Sequence, residues 1–161
     1  MKTICILIAS SAELKRERME LVDLMQDMND DLDGRNIKLK PVLWEYMDSS
    51  MGEMRKEDEY LEKMRECEIC IVLFWLTLGE YTVEELNVAV TEMYAGRLPQ
   101  KVYVLFKEPA DDISDELYLF KQDFPIRYGT YPSTFTNFQS LRETVKTYII
   151  TYIIRHTMNL I

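Results

Sequence analysis

Seven consecutive residues, Ile69-Cys70-Ile71-Val72-Leu73-Phe74-Trp75, are apolar without a break. A strand with one wet face alternates polar and apolar residues; a run with no alternation suits a strand covered on both faces. Thr3 to Ala9 is a second run of this kind and Lys101 to Phe106 a third, and stretches with helical spacing separate them. Strands alternating with helices imply right-handed crossovers and a parallel sheet. The expected architecture is α/β: a flavodoxin-like three-layer sandwich on a five-stranded parallel sheet in the order 2-1-3-4-5. Its first and third strands would flank the switch point where such folds bind ligands.

The intervening segments fill in this plan. Ser10-Ser11-Ala12-Glu13 has the spacing of a capping box, with Ser10 as N-cap and Glu13 folding back on it. The helix after it carries an apolar stripe at Leu14, Leu21, Leu24, Met25 and Met28, and Asp30 to Gly34 ends it in a turn. The second strand is expected over 37–44, at a sheet edge because Pro41 lacks a ladder donor. The Met- and Ser-rich stretch 46–52 reads as a loop, and 53–65 as a charged helix with apolar Met54, Leu61 and Met64. Further helices are expected over 82–94 and 115–121, with an acidic loop at 109–113 between them and a short fifth strand within 125–131. The closing helix, about 138–155, has one apolar stripe at Phe138, Leu141, Val145, Tyr148, Ile149 and Tyr152 and a second at Ile150, Ile153 and Ile154. A helix apolar beyond one face packs on two partners. That fits either self-association, a further domain after residue 161, or one wide interface within the domain.

The 161 residues suit a single domain, 1–161. A net charge of −9 without a Lys/Arg cluster excludes a polyanion such as nucleic acid as partner. The three cysteines, Cys5, Cys67 and Cys70, lie in or beside strand runs, and Cys67-Glu-Ile-Cys70 leads into a strand rather than a helix. They read as buried reduced thiols. With one histidine and no second cysteine pair, no metal site is expected. No signal peptide and no membrane-length apolar run is present, so a cytoplasmic protein is expected. Five unpatterned glycines leave neither a phosphate loop nor a dinucleotide fingerprint.

Just past the third strand, Tyr81-Thr82-Val83-Glu84-Glu85-Leu86 opens a helix. At about 100° per residue, Val83, Leu86, Ala89, Val90 and Met93 define its buried face. Glu84 then points away from that face, while Glu85 lies on its margin, where a side chain can line a cleft. Two roles stand open for Glu85: the return arm of a capping box on Thr82, or a catalytic carboxylate. A helix N-terminus favours the ionised form. An ionised carboxylate suits a nucleophile or a stabiliser of an oxocarbenium-like centre, not a general acid. Trp44 and Glu45 end the second strand on the same side, where an aromatic ring can stack on a base and a carboxylate can bind ribose. Ser10 and Ser11 start the first helix, where free N–H groups can receive a phosphate. Trp75 and Tyr81 bracket the loop after the third strand and complete the expected substrate-binding set. Arg18 offers either a positive charge or an internal ion pair, and His156 stands alone near the far end of the chain.

Three segments resemble bacterial TIR-like domains, of the Toll/interleukin-1 receptor type. Ile8-Ala-Ser-Ser-Ala-Glu-Leu-Lys-Arg-Glu-Arg18 resembles their opening strand, loop and helix. Tyr81-Thr-Val-Glu-Glu-Leu86 is similar to the segment that carries the catalytic Glu of TIR enzymes, with Tyr81-Thr82 in place of the usual Trp-Cys pair and Glu68 in place of an Asp at the start of the third strand. The stretch from Tyr131 to Tyr148 resembles their closing segment. Glu85-Leu-Asn-Val-Ala89 also resembles the helix start of nucleoside deoxyribosyltransferases, which share the fold. The resemblance implies cleavage of the nicotinamide N-glycosidic bond of NAD by Glu85, with NAD as substrate and no cofactor, in bacterial defence signalling that often involves self-association. It leaves open a non-catalytic interaction module, or cleavage or exchange of the base on another nucleoside or nucleotide.

Overall fold

The computed structural model describes residues 1–46, 55–79 and 81–157. The expected loop at 46–52 and Met54 of the expected helix fall almost wholly outside them. Five strands, β1 (Lys2–Ser10), β2 (Ile37–Val42), β3 (Ile69–Phe74), β4 (Lys101–Lys107) and β5 (Ser133–Phe135), form one sheet in the order β2-β1-β3-β4-β5. Every pairing is parallel. This is the expected flavodoxin-like α/β arrangement. Pro41 sits on the edge strand β2 opposite Ile6, where its missing N–H disrupts no inner ladder.

Alternate side chains of each strand enter opposite layers. On one face Ile4, Ile6, Ile8, Ile69, Ile71 and Leu73 pack with α1 (Lys15–Leu32) and α5 (Phe138–His156). On the other, Leu7, Ala9, Cys70, Val72, Phe74 and Phe106 pack with α2 (Lys56–Met64), α3 (Thr82–Tyr94) and α4 (Asp115–Tyr128). All six residues of β3 are buried, as a central strand requires.

Three local expectations are corrected. The segment 125–131 is not a strand: α4 runs on through Pro125 to Tyr128 and ends at Gly129, which adopts the left-handed conformation with φ 70°. Leu117, Phe120 and Phe124 form one buried stripe, and Tyr128, partly buried beyond Pro125, extends it by packing on Phe124 with ring centres 4.7 Å apart. β5 follows only at Ser133. Neither capping box forms. Ser10 is the last residue of β1, α1 begins only at Lys15 after a short 3-10 turn at Ala12–Leu14, and Glu13 turns to the loop after β3. At α3 the N-cap is Tyr81, without a side-chain cap, and Thr82 is already the first helical residue.

Candidate functional site

A cavity of about 580 Å³ opens at the carboxyl ends of β1 and β3, between the 3-10 turn, α1, α2 and the start of α3. This is the switch point of the sheet, where the strands on either side leave toward opposite layers. Ser10, Ser11, Trp44, Tyr81 and Glu85 line it together, with Arg18, Glu57 and Tyr60. Trp75 lies apart from this set. Its indole N–H donates to the Pro109 carbonyl at 2.9 Å, and Lys107 Nζ sits 4.0 Å from its ring centre.

Glu85 is placed by α3. Its backbone N–H donates to the Tyr81 carbonyl in the first turn, and Leu86 and Ala89, fully buried, anchor that face. The side chain is only 6% exposed and points to α2 instead of folding back on its own helix. There it meets Glu57, 3% exposed, and the two carboxyls are in hydrogen-bonding reach of each other. Glu84 points outward and pairs with Arg55 at 3.2 Å.

The charge state of Glu85 is the reverse of the expectation from the helix terminus. Burial, then the Glu57 charge and its hydrogen bond, push Glu85 well above the usual carboxylate range. Burial also raises Glu57, although its hydrogen bond with Glu85 works the other way. Desolvation by a wall of apolar side chains outweighs the half-charge of a helix end, which fades within one turn. The two groups titrate as a pair, and at neutral pH the pair holds a proton that isolated glutamates would have lost. Of the two, Glu85 is the more strongly raised.

Sequence reasoning missed Glu57, yet a signal was present. Glu57, Tyr60, Leu61 and Met64 are spaced i, i+3, i+4, i+7, and all four are buried. A carboxylate on the apolar stripe of a helix is a costly choice unless something uses it.

The rest of the wall is tied by Arg18, which is 8% exposed. Its Nε and Nη2 donate to Glu45 at 3.0 and 2.8 Å, and its Nη1 donates to the Ser11 carbonyl at 3.0 Å and to Ser10 Oγ. Glu45 is thus occupied by the arginine and does not line the cavity. Trp44 meets the Tyr60 ring edge-on with centres 5.7 Å apart, and Tyr60 O–H donates to the Ile8 carbonyl at 2.9 Å. Two buried polar atoms of residues in this wall have no hydrogen-bond partner among the described residues: Glu57 Oε1 and Ser11 Oγ. Ser11 Oγ lies close enough to the Glu13 carboxylate to help keep it ionised, but without the geometry of a hydrogen bond.

The other chemistry-bearing residues are dispersed. Cys5, Cys67 and Cys70 are free thiols. His156 stacks on Tyr152 at the end of α5, with ring centres 4.3 Å apart. Among the described residues no group of three or more metal-ligating side chains occurs, and no helix is long and apolar enough to cross a membrane.

No protein-family model and no curated protein sequence matches this chain. Solved structures that resemble it include homoserine dehydrogenase from S. aureus at pH 7.0, at 13% identity and a TM-score of 0.44, over 83% of this chain and 33% of that one. Rubredoxin oxygen:oxidoreductase from Desulfovibrio gigas matches at 9% identity and TM-score 0.44, over 92% and 37%. RosB with a bound intermediate, 8-demethyl-8-formylriboflavin-5'-phosphate, matches at 12% identity and TM-score 0.42, over 96% and 81%. The chain spans about a third of the length of the homoserine dehydrogenase. Likeness at this level bears on neither family nor function.

Proposed function

We propose that this protein is a TIR-like hydrolase of the N-glycosidic bond between nicotinamide and ribose in NAD, with Glu85 as the catalytic residue. The observation that carries the reading is the buried Glu57–Glu85 pair on the wall of the cavity at the switch point. Two adjacent carboxyls suit displacement at an anomeric carbon, which passes through an oxocarbenium-like centre. The C1′–N bond breaks with its electron pair going to the nicotinamide ring, which leaves uncharged. The carboxyl pair, which carries one negative charge while it holds one proton, stabilises the positive ribosyl centre through Glu85. Water adds to C1′ and its proton passes to the carboxyl pair, leaving ADP-ribose.

A second reading is cleavage of a nucleoside or nucleotide carrying an uncharged base. The proton held by the carboxyl pair favours it, because an uncharged base leaves readily only when protonated. We also propose that any self-association uses α5, whose second stripe leaves Ile150 and Ile154 40% and 39% exposed beside Met28 and Leu32.

Incubation with NAD and with a panel of nucleosides and nucleotides, following nicotinamide and free base, tests both readings. Nicotinamide release by wild type and not by Glu85→Gln supports the first. Base release from the panel alone supports the second. Wild type as inactive as Glu85→Gln on every substrate, at concentrations where the protein associates, removes both.

A further inference from the structure

We infer that the groove between the C-terminal halves of α1 and α5 is a binding site for a free fatty carboxylate, an unbranched acyl chain with an anionic head. This ligand lies outside the proposed hydrolase reaction. It would occupy the α5 stripe, where it competes with a second copy of the chain.

The groove encloses about 380 Å³, within the size range of small-molecule sites. Its apolar lining is aliphatic throughout: Met28 and Ile153, each 4% exposed, with Leu32, Ile150 and Ile154. No aromatic ring and no uncharged polar side chain lines it among the described residues, so nothing there orients a planar base or a sugar. Methylenes gain most from such a surface, because they leave water without losing a hydrogen bond. The other lining side chains are charged: Asp31 on α1, Arg35 on the 3-10 turn Asp33–Arg35, and Lys146 on α5. Two cations thus face one carboxylate, in a chain whose net charge is −9. That local excess of positive charge suits an anionic head.

Arg35 and Lys146 have no ion-pair partner among the described residues, while Arg142, one turn before Lys146, is held by Glu20, Asp23 and Asp27. Those ion pairs bridge α5 to α1 and interrupt the aliphatic surface at that end. A partner helix docks through apolar anchors spread over two turns or more, and here it would run onto the acidic ridge. A single acyl chain stops short of it. Seated on Ile150 and Ile154, the chain covers the surface proposed for self-association, so each excludes the other.

Calorimetry of the intact protein with octanoate, decanoate and 1-octanol, each below the concentration at which it aggregates, tests this. Decanoate should bind about tenfold tighter than octanoate, as two further methylenes leave water. Octanoate should bind about threefold tighter than 1-octanol, which has the same chain without the charge. Lys146→Glu should remove that second difference, and Ile150→Asp should weaken all three ligands about tenfold or more. Both positions are exposed, so both variants should fold. No uptake of decanoate, equal affinity for octanoate and 1-octanol, or binding untouched by Ile150→Asp overturns the inference. Co-sedimentation with phosphatidylglycerol vesicles without affinity for free decanoate overturns it too, and makes the stripe a membrane contact. Sedimentation velocity at high protein concentration, with and without saturating decanoate, then separates the two uses of the stripe. Association that disappears with decanoate supports both. Decanoate binding by a wild type that is monomeric throughout supports the ligand and removes self-association. Association unchanged at saturation overturns the placement of the ligand on α5. Nicotinamide release enters none of these measurements, so failure of the hydrolase reading leaves them standing.

Discussion

Arg18 and Glu45 form a forked ion pair that joins α1 to the short turn after β2, with Nε and Nη2 both on the carboxylate. The arginine side chain is 10% exposed and the glutamate 22%. Removing one partner leaves the other charged and partly desolvated. Arg18→Leu is therefore expected to cost about 2–4 kcal/mol of unfolding free energy, with Arg18→Leu/Glu45→Leu recovering a good part of it. Urea melts of the single and double variants check this. A double variant no more stable than Arg18→Leu would show that the pair's worth lies in the hydrogen bonds to Ser10 and Ser11.

Glu85 has its folded-state pKa raised, and the sign of the consequence follows. Between the unfolded carboxylate range and the raised value, the folded protein binds more protons than the unfolded chain. The stabilising contribution of Glu85 is present in full below the unfolded carboxylate range and is lost as pH rises from there through the raised value, at about 1.4 kcal/mol for each pH unit in that window. Glu85→Gln keeps shape and hydrogen bonding but cannot ionise. Its melting temperature should stay flatter from pH 5 to pH 9 and exceed that of wild type at the alkaline end. The same variant should lose about 10²-fold or more of any glycosidic activity. A wild type whose stability rises over that pH range would show Glu85 to be ionised at rest.

Gly79 is a contact point between the two loops that frame the cavity. A Cβ at this position would stand 2.5 Å from Thr82 Oγ1 and 3.1 Å from Ser11 Cβ. Gly79→Ala must push the loops after β1 and β3 apart, with a cost of about 1–3 kcal/mol. The expected signature is a lowered melting temperature together with a raised KM, and thermal melts and substrate titration check it.

Burial raises the thiol pKa of Cys5, Cys67 and Cys70, with Cys70 fully buried. A thiolate is the reactive form. Native protein at pH 8 should therefore take up iodoacetamide slowly, Cys5 first, and all three sites should react quickly in urea. Mass spectrometry of timed samples reads this directly. Rapid labelling of Cys67 or Cys70 in native protein would contradict the packing of α2 on β3.

Ile150→Lys/Ile154→Lys changes two half-exposed positions on α5. Stability should shift by no more than about 0.5 kcal/mol per site. Sedimentation at high concentration should show the wild type associating and the variant not; equal masses would remove α5 from the account.

The layer plan could be read from the sequence because β3 and β1 are apolar on both faces and Pro41 marks an edge. The end of α4 was harder to see. Pro125 suggested a break, yet Tyr128 beyond it keeps the helical spacing of Phe120 and Phe124, and the packing of these three rings holds the helix together. Local spacing likewise suggested two capping boxes that tertiary contacts override, since Glu13 and Glu85 each find a partner far away in sequence. Glu85 itself could be placed from helix geometry alone. Its protonation could not, because Glu57 lies 28 residues earlier and only the packing of α2 against α3 brings the two together.

Glu13 has left its own helix to accept hydrogen bonds from the Thr77 amide at 3.0 Å, the Thr77 hydroxyl at 2.8 Å and, more weakly, the Leu76 amide. One side chain from the loop after β1 thereby clasps the loop after β3. Glu13 and Thr77 both line the cavity, so a single carboxylate acts as a latch on its wall. Protonating or replacing that carboxylate would unfasten the rim without touching the sheet beneath it.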